Sequence, residues 1–295
     1  MLSVCIPVYN FDVTKLVSNI LKQAEVANIE IEILIGDDSS TNKYNNPNLD
    51  DGAKVKYIFN EQNLGRSKNR NNLATKAKYD YLLFIDCDAQ IKSKSFLSFY
   101  IASIVKKQEV VCGGTAYTKK NQDRNHSLHW KYGTKVEAKS IDERKKYPNK
   151  SFSSFNFLIN KDLFLSIKFN ENLTKYGHED TLFGYELKKQ NIIITQIDNP
   201  LIHTGIEENK VFIKKSVIGI DNLIYIIKNI ENSERLISDI KLIEFYKSLE
   251  KNKLLLFLKV FYPLLFPLSK FILINIAQNI TLFNFLKILY FTKKY

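Results

Sequence analysis

Cysteine is scarce in this chain: 3 residues in 295, and Cys5, Cys87 and Cys112 show no Cys-x-x-Cys spacing. That excludes a disulfide framework and a thiolate zinc site, and two of the three sit in or beside apolar runs as reduced packing residues. His126 and His129 have a spacing compatible with a metal, yet no Cys or carboxylate flanks them. No charged leader and apolar signal core precede Leu2-Ser-Val-Cys-Ile-Pro-Val, so a cytoplasmic location is expected. Nor is any uncharged run long enough to span a bilayer. The longest, residues 271–286, has 16 residues and contains Asn275, Gln278, Asn279 and Asn284. Acids are missing altogether from residues 251–295, which hold seven Lys and so +7 of the formal +12. The remainder is only mildly basic, which removes the main support for nucleic-acid binding and leaves phosphate-bearing ligands or an anionic surface as partners.

What the first half does contain is an alternation of apolar runs and helical spacings. Leu2–Val8 reads as a strand, and Asp12 is placed to cap a helix with Val13, Leu16, Val17, Ile20, Leu21 and Ala24 on one face. Strands are expected at residues 31–35, 55–59, 81–85 and 110–112, with helices at 67–78 and 95–107 between them. Such alternation predicts an α/β fold, a mostly parallel sheet with helices on both faces. Ligands of such sheets bind beyond the C-terminal strand ends.

Those ends carry the chemistry. The first strand leads into Pro7-Val8-Tyr9-Asn10, the second into Gly36-Asp37-Asp38-Ser39-Ser40, and the fourth, Tyr81-Leu-Leu-Phe-Ile, into Asp86-Cys87-Asp88. Strand side chains alternate, so Asp86 and Asp88 share a face if the strand continues and are available to one hard cation such as Mg²⁺ or Mn²⁺. Taken alone the pair reads equally as a capped turn. Asn63-Leu-Gly65-Arg66-Ser-Lys-Asn-Arg70-Asn71 is a glycine turn feeding a cationic helix start, suited to a phosphate or a base.

In this order the motifs resemble the family 2 glycosyltransferases of the GT-A fold over about residues 1 to 205. Leu2–Asn10, residues 32–40, Asn63-Leu-Gly65 with Arg70-Asn71, Phe84-Ile-Asp-Cys-Asp88, and Tyr176-Gly-His-Glu-Asp180 followed by Phe183-Gly-Tyr-Glu-Leu carry the likeness. The resemblance implies a GT-A, Rossmann-like catalytic domain at 1–205, and a sugar moved from a nucleotide diphosphate donor, a UDP-sugar, to a hydroxyl of a glycan or lipid-linked acceptor. It implies Pro7 and Tyr9 against the base, Asp38 accepting from the uracil ring and Arg70 donating to its edge. Asp86 faces the ribose, Asp88 binds Mn²⁺ or Mg²⁺, and Asn156 lies near the donor sugar. Asp180 is the base of a single inverting displacement, and Glu179 holds the acceptor or orients the loop. His203, in Pro200-Leu-Ile-His-Thr-Gly, matches a further metal ligand of some GT-A enzymes, although a His at a strand end is otherwise structural.

Residues 117–150 are polar, with Trp130, Tyr132 and several basic residues, and read as an acceptor loop whose rings suit sugar faces. A helical extension is expected at 206–253, with Ser233 capping a helix that carries Leu236, Ile240, Ile243 and Leu249. Residues 254–295 are expected to form a Lys-rich amphipathic hairpin, broken at Pro263 and Pro267, lying on the anionic inner face of the plasma membrane. Two other classes stay open on the residues. One is a catalytically inactive carbohydrate-binding scaffold, and the other a haloacid-dehalogenase-type phosphatase, against which Gln90 and the late position of Asp86 speak.

Overall fold

A computed structural model of the chain describes residues 1–42, 44–119, 123–230, 236 and 240–295. They form two compact units: Met1–Thr118 with Glu137–Thr174 and Phe183–Gly205, and Lys119–Val136 with Lys175–Leu182 and Ile206–Tyr295.

In the first unit β1 (Leu2–Val8), β2 (Ile31–Asp37), β3 (Val55–Phe59) and β4 (Tyr81–Ile85) form the parallel half of a seven-stranded sheet. With β6 (Val110–Cys112), β8 (Asn156–Asn160) and β9 (Thr195–Gln196) the order is β3-β2-β1-β4-β8-β6-β9. Strand β8 runs antiparallel to both neighbours. All seven residues of β2 are buried, as expected where helices cover both faces. Glu32 within it is tolerated because the Ser3 hydroxyl and the Lys78 amide both donate to its Oε1, at 2.6 Å each. Alternation divides the core: Val4, Ile6 and Val8 point into one cluster, Cys5 with Leu34, Leu82 and Phe84 into the other.

Helices α1 (Thr14–Val26), α2 (Arg66–Lys76) and α3 (Phe96–Val105) connect the parallel strands. In α1 Leu16, Val17, Ile20 and Ala24 are buried at the expected spacing. The helix starts later than Asp12 predicts, with Val13 at the cap position and the Asp12 carboxylate accepting the Thr14 amide at 2.8 Å. A second, three-stranded sheet joins β5 (Ala89–Gln90), β10 (Leu201–His203) and β7 (Thr115–Ala116) in the order β5-β10-β7. In sequence order the remaining short helices are α4 (Ser127–Tyr132), α5 (Ile141–Lys146) and α6 (Lys161–Ile167), followed by α7 (Glu179–Lys189).

The second unit is helical, with α8 (Asn209–Asn229), α9 (Lys241–Lys251), α10 (Leu255–Asn275) and α11 (Ile280–Lys294). Ser233 lies outside the described residues. Helix α9 begins after Ile240, which is extended, and buries Ile243 and Tyr246. The prolines do not break the chain as the sequence suggested: α10 runs unbroken through Pro263 and Pro267. Each lacks one N–H, and their four-residue spacing puts the carbonyls they free, those of Lys259 and Pro263, on one side of the helix. Helix α10 is thus long and apolar enough to cross a membrane, with 17% of its most apolar stretch buried. Helix α11 differs. Its Phe283, Leu286, Ile288, Leu289 and Phe291 are buried, among α4, α8, α9 and α10 residues such as Leu128, Phe212, Leu223, Ile243, Tyr246 and Leu273.

The Phe84 ring lies between Phe157 and Phe164, with centroids 4.9 and 5.0 Å away, and has no exposed surface. Phe84→Ala is therefore expected to lower unfolding stability by about 3–5 kcal/mol in urea titration, the usual cost of emptying such a site. A loss under about 1 kcal/mol, the range of a tolerated swap, shows that the aromatic cluster is not the core of this face.

Candidate functional site

Tyr9 leaves β1 with half of its surface exposed, a ring face open to a planar ligand. Pro7 precedes it, paired in register with Gly36 of β2. At the end of β2 the two acids diverge in role. Asp37 accepts from the Ser40 amide and the Tyr57 hydroxyl and so closes the turn. Asp38, 5% exposed, accepts from the amides of Leu64 at 2.7 Å and Gly65 at 2.9 Å. Gly65 takes φ 82°, a conformation that glycine adopts without strain. The Asp38 carboxylate thereby pins the Asn63-Leu-Gly65 turn to the sheet, and α2 starts from that anchor.

One turn into α2, Arg70 turns inward. Only 2% of it is exposed, and its Nη2 donates to Asp86 Oδ1 at 2.6 Å. The guanidinium lies 5.5 Å from the Phe169 ring centroid, while Nε and Nη1 have no acceptor among the described residues. A buried cation with two unmet donors is costly unless a ligand supplies acceptors.

Asp88, two residues on, has a different partner. Its Oδ2 lies 2.9 Å from His203 Nε2, and Thr204 donates its amide and hydroxyl to the Asp88 carbonyl at 2.9 and 2.7 Å. A Cβ on Gly205 would come within 2.2 Å of that Oδ2, so a side chain there would push the Asp88 carboxylate aside. Burial raises the Asp88 carboxyl, but the hydrogen bond and charge of His203, with Arg66, outweigh it and hold it below its ordinary value. Burial lowers His203, and the Asp88 hydrogen bond and charge, aided by Glu137 and Asp86, reverse that and raise it. A carboxylate and an imidazole at this separation, 24% and 17% exposed, are a donor set that fits a divalent first-row cation. Asp88 and His203 are the residues that would hold it.

Asn156 is fully engaged inside the fold. Its Oδ1 accepts from Tyr100 at 2.6 Å, and its Nδ2 donates to the carbonyls of Gly114 and Asn199 at 3.2 and 2.9 Å. Beside it Arg144, 5% exposed, donates to the carbonyls of Cys112, Gly113 and Ile197 and to Gln196 Oε1. That residue sits in the stretch expected to meet acceptor, yet it staples β6 and β9 from inside. Nothing in the sequence distinguishes it from the surrounding surface charges.

Glu179 and Asp180 open α7 and belong to the second unit, the first buried and the second half-buried. The turn before them is held from α8. Asn222 Nδ2 donates to the carbonyls of Lys175 and Gly177 at 2.7 and 2.8 Å, and Gly219 passes so close that an added Cβ would meet the Tyr176 carbonyl at 3.0 Å. Gly177 and His178 both take positive φ, 93° and 68°. Burial pushes His178 down to about 4 against the pull of Glu179, with Lys287 adding to the fall, so the imidazole is neutral near pH 7. Asn222 and Gly219 lie some 40 residues beyond the motif they support, which is why the motif alone does not reveal them.

Comparison with curated proteins gives no match. Among solved structures, a fragment of S. aureus TarS, residues 1–349, aligns with a TM-score of 0.55 at 18% identity, covering 99% of this chain and 89% of that one. The same fragment has been solved in complex with UDP and with UDP-GlcNAc. The mannosyltransferase PcManGT from Pyrobaculum calidifontis, in complex with GDP-Man and Mn²⁺, aligns at 0.54 and 13% identity, covering 77% of this chain and 64% of that one. Mannosyl-3-phosphoglycerate synthase from Rubrobacter xylanophilus aligns at 0.55 and 15% identity over 77% and 74%. These likenesses establish the GT-A fold, on which the phosphatase alternative lapses. The family model of glycosyl transferase family 2 matches residues 3–168, more than half of the sequence, and the chain belongs to that family.

Proposed function

We propose that this protein transfers a sugar from a nucleotide diphosphate donor, a UDP-sugar, to a hydroxyl of a glycan or lipid-linked acceptor in surface polysaccharide or glycoconjugate synthesis. The observation that carries the reading is the end of β4, where two carboxylates two residues apart each have a different partner, the Arg70 guanidinium on Asp86 and the His203 imidazole on Asp88. Pro7 and Tyr9 line the base. Asp38, fixed by the Leu64 and Gly65 amides, keeps lone pairs for a ring N–H, and the unmet donors of Arg70 suit a carbonyl of the pyrimidine edge. Asp86, already turned by Arg70, accepts from the ribose. Asn156 keeps the wall near the donor sugar in place through Tyr100, Gly114 and Asn199.

Asp88 and His203 hold Mn²⁺ or Mg²⁺, which supplies charge neutralisation of the departing diphosphate. UDP is favoured as the leaving group because complexes of the TarS fragment with UDP and UDP-GlcNAc share this fold. Mn²⁺ accompanies GDP-Man in PcManGT. Asp180 takes the proton from the acceptor hydroxyl as it attacks the anomeric carbon, and the bond to the diphosphate breaks in the same step with inversion. Helix α7 favours the ionised form, because its N-terminal dipole stabilises a carboxylate in the first turn. Glu179 orients the acceptor.

The same reading places the enzyme peripherally on the inner face of the plasma membrane through α10. Leu254, Phe257, Phe261, Leu264, Leu268 and Phe271 are all exposed and follow one another at alternating spacings of three and four, a continuous apolar seam. Lys251, Lys253, Lys259 and Lys270 flank it, with no acid anywhere in residues 251–295. A second copy of the seam would bring like charge against like charge, whereas an anionic lipid surface gains on the order of 1 kcal/mol per Lys.

Asp88→Asn is expected to abolish the Mn²⁺ dependence of UDP binding while the melting temperature holds. Calorimetry with and without Mn²⁺ checks it, and an unchanged Mn²⁺ dependence removes Asp88 from the metal site. Asp180→Asn is expected to keep donor affinity and lose roughly 10²- to 10⁴-fold in transfer rate. Near wild-type transfer in that variant, with Glu179→Gln dead, exchanges the two roles. Because α11 is core, the membrane reading is tested by point changes and not by deletion: Phe261→Glu with Leu264→Glu should release the protein from liposomes rich in anionic lipid. High salt should release the unaltered protein only in part, since the apolar contact is not screened. Equal sedimentation of both proteins with the liposomes overturns the docking face.

A further inference from the structure

Helix α8 does more for the second unit than fill its core. Phe212, Ile213, Ile220 and Leu223 bury one side of it among residues of α4, α9, α10 and α11. That packing fixes the helix, and with it whatever another face of the helix holds. Lys215, Gly219 and Asn222 follow at spacings of four and three, which puts them on one face, and all three meet residues 175–177. The Lys215 ammonium lies 5.5 Å from the centroid of the Tyr176 ring. Gly219 leaves room for the Tyr176 carbonyl, which an added Cβ would meet at 3.0 Å. Asn222 Nδ2 donates to the carbonyls of Lys175 and Gly177 at 2.7 and 2.8 Å.

Two carbonyl acceptors allow one orientation of the Asn222 amide, because only its NH₂ end donates, and both of those hydrogens go to this turn. The turn is one that needs holding. Gly177 and His178 take φ 93° and 68° in succession. A left-handed His is a conformation that an L side chain rarely adopts, and it persists where the surroundings over-determine it. Glu179 and Asp180 follow at once as the first two residues of α7. A shift of the turn is therefore a shift of both carboxylates.

We infer that Asn222 and Gly219 are positioning residues of the transfer step, which set the reach of Asp180 by holding the three successive carbonyls of residues 175–177 against α8. The inference rests on Asp180 as the base, the role given under the proposed function. A misplacement of about 1 Å costs a reaction on the order of 10²-fold even when it starts far from the chemistry. Gly219→Ala separates this role from a merely structural one, because alanine suits a helix interior better than glycine does. Helix α8 holds or gains in that variant, while the turn is pushed.

The test uses the full-length protein with Mn²⁺ and reads the UDP released with water in place of the acceptor. The substrate is whichever of UDP-glucose, UDP-galactose and their N-acetylhexosamine counterparts the unaltered protein cleaves fastest. Asn222→Asp keeps the shape but cannot donate, and should lower the turnover number by about 10²-fold. Gly219→Ala, which asks the turn to give by a few tenths of an ångström, should lower it by about 10-fold. UDP affinity by calorimetry should be unchanged in both, and Gly219→Ala should melt at or above the temperature of the wild type. Because both act through Asp180, neither should add to the loss in Asp180→Asn. Wild-type turnover in Gly219→Ala overturns the inference, and this comparison stands even if Asn222→Asp fails to fold. So does a loss matched by weaker UDP binding, or one that multiplies in full with that of Asp180→Asn, since either places the effect elsewhere. Asp180→Asn itself separates this failure from that of the underlying reading: if it releases UDP like the wild type, Asp180 is no base. If it is slow while Gly219→Ala is fast, only the positioning role falls.

Discussion

Strand β4 is paired on both edges, by β1 and β8, and from Leu82 to Ile85 it has no exposed surface. Polar atoms cannot be left unmet there without a cost of about 1–3 kcal/mol each, so the chain carries only apolar side chains until the sheet ends. The first acids after that point are Asp86 and Asp88, and everything that gives the site its chemistry is arranged around them. The Asp38 carboxylate fixes the start of α2 and hence Arg70, and the β5-β10-β7 sheet brings His203 to Asp88. Each carboxylate is met by its own partner, the Arg70 guanidinium at Asp86 and the His203 imidazole at Asp88, so that two acids two residues apart are engaged separately.

Buried polar groups do most of the positioning in this molecule. Glu32 ties β2 to β1 and to Lys78, Arg144 gathers four acceptors around β6 and β9, and Asn222 holds the turn that presents Glu179 and Asp180. A hydrogen bond contributes modestly when made but is expensive to leave open. Such groups therefore select one backbone arrangement more than they stabilise it. Close backbone approach serves the same end at Gly205 and Gly219, where a single Cβ would displace Asp88 or the turn at Tyr176.

The two C-terminal helices show why composition alone misjudges a tail. Both are rich in Leu, Ile and Phe with scattered Lys, yet α11 buries Phe283, Leu286 and Phe291 while α10 leaves Phe257, Phe261 and Leu264 in the open. Both are mostly apolar; the partner differs. Pro263 and Pro267 read as breaks because each removes an intrahelical bond, but a helix tolerates the loss where other contacts over-determine its path. Helix α10 packs along α11 and α8, among residues such as Leu273, Phe283 and Phe212.

The linear chain by itself determined the parallel half of the sheet and the contents of its C-terminal edge. Mostly apolar runs of five to seven residues, with Ser3 and Glu32 as the exceptions that bond each other, favour a strand buried on both faces, and their ends are where polar residues appear. Asp38, Arg70, Asp86 and Asp88 are legible for that reason. Only the tertiary structure decided which side chain meets which carboxylate, and that Asn156 and Arg144 act inside the wall. Those pairings join residues 16 to 115 positions apart across sheet register and strand order. Neither register nor order has a local signature, because both are set by which buried faces fit together once the elements have formed.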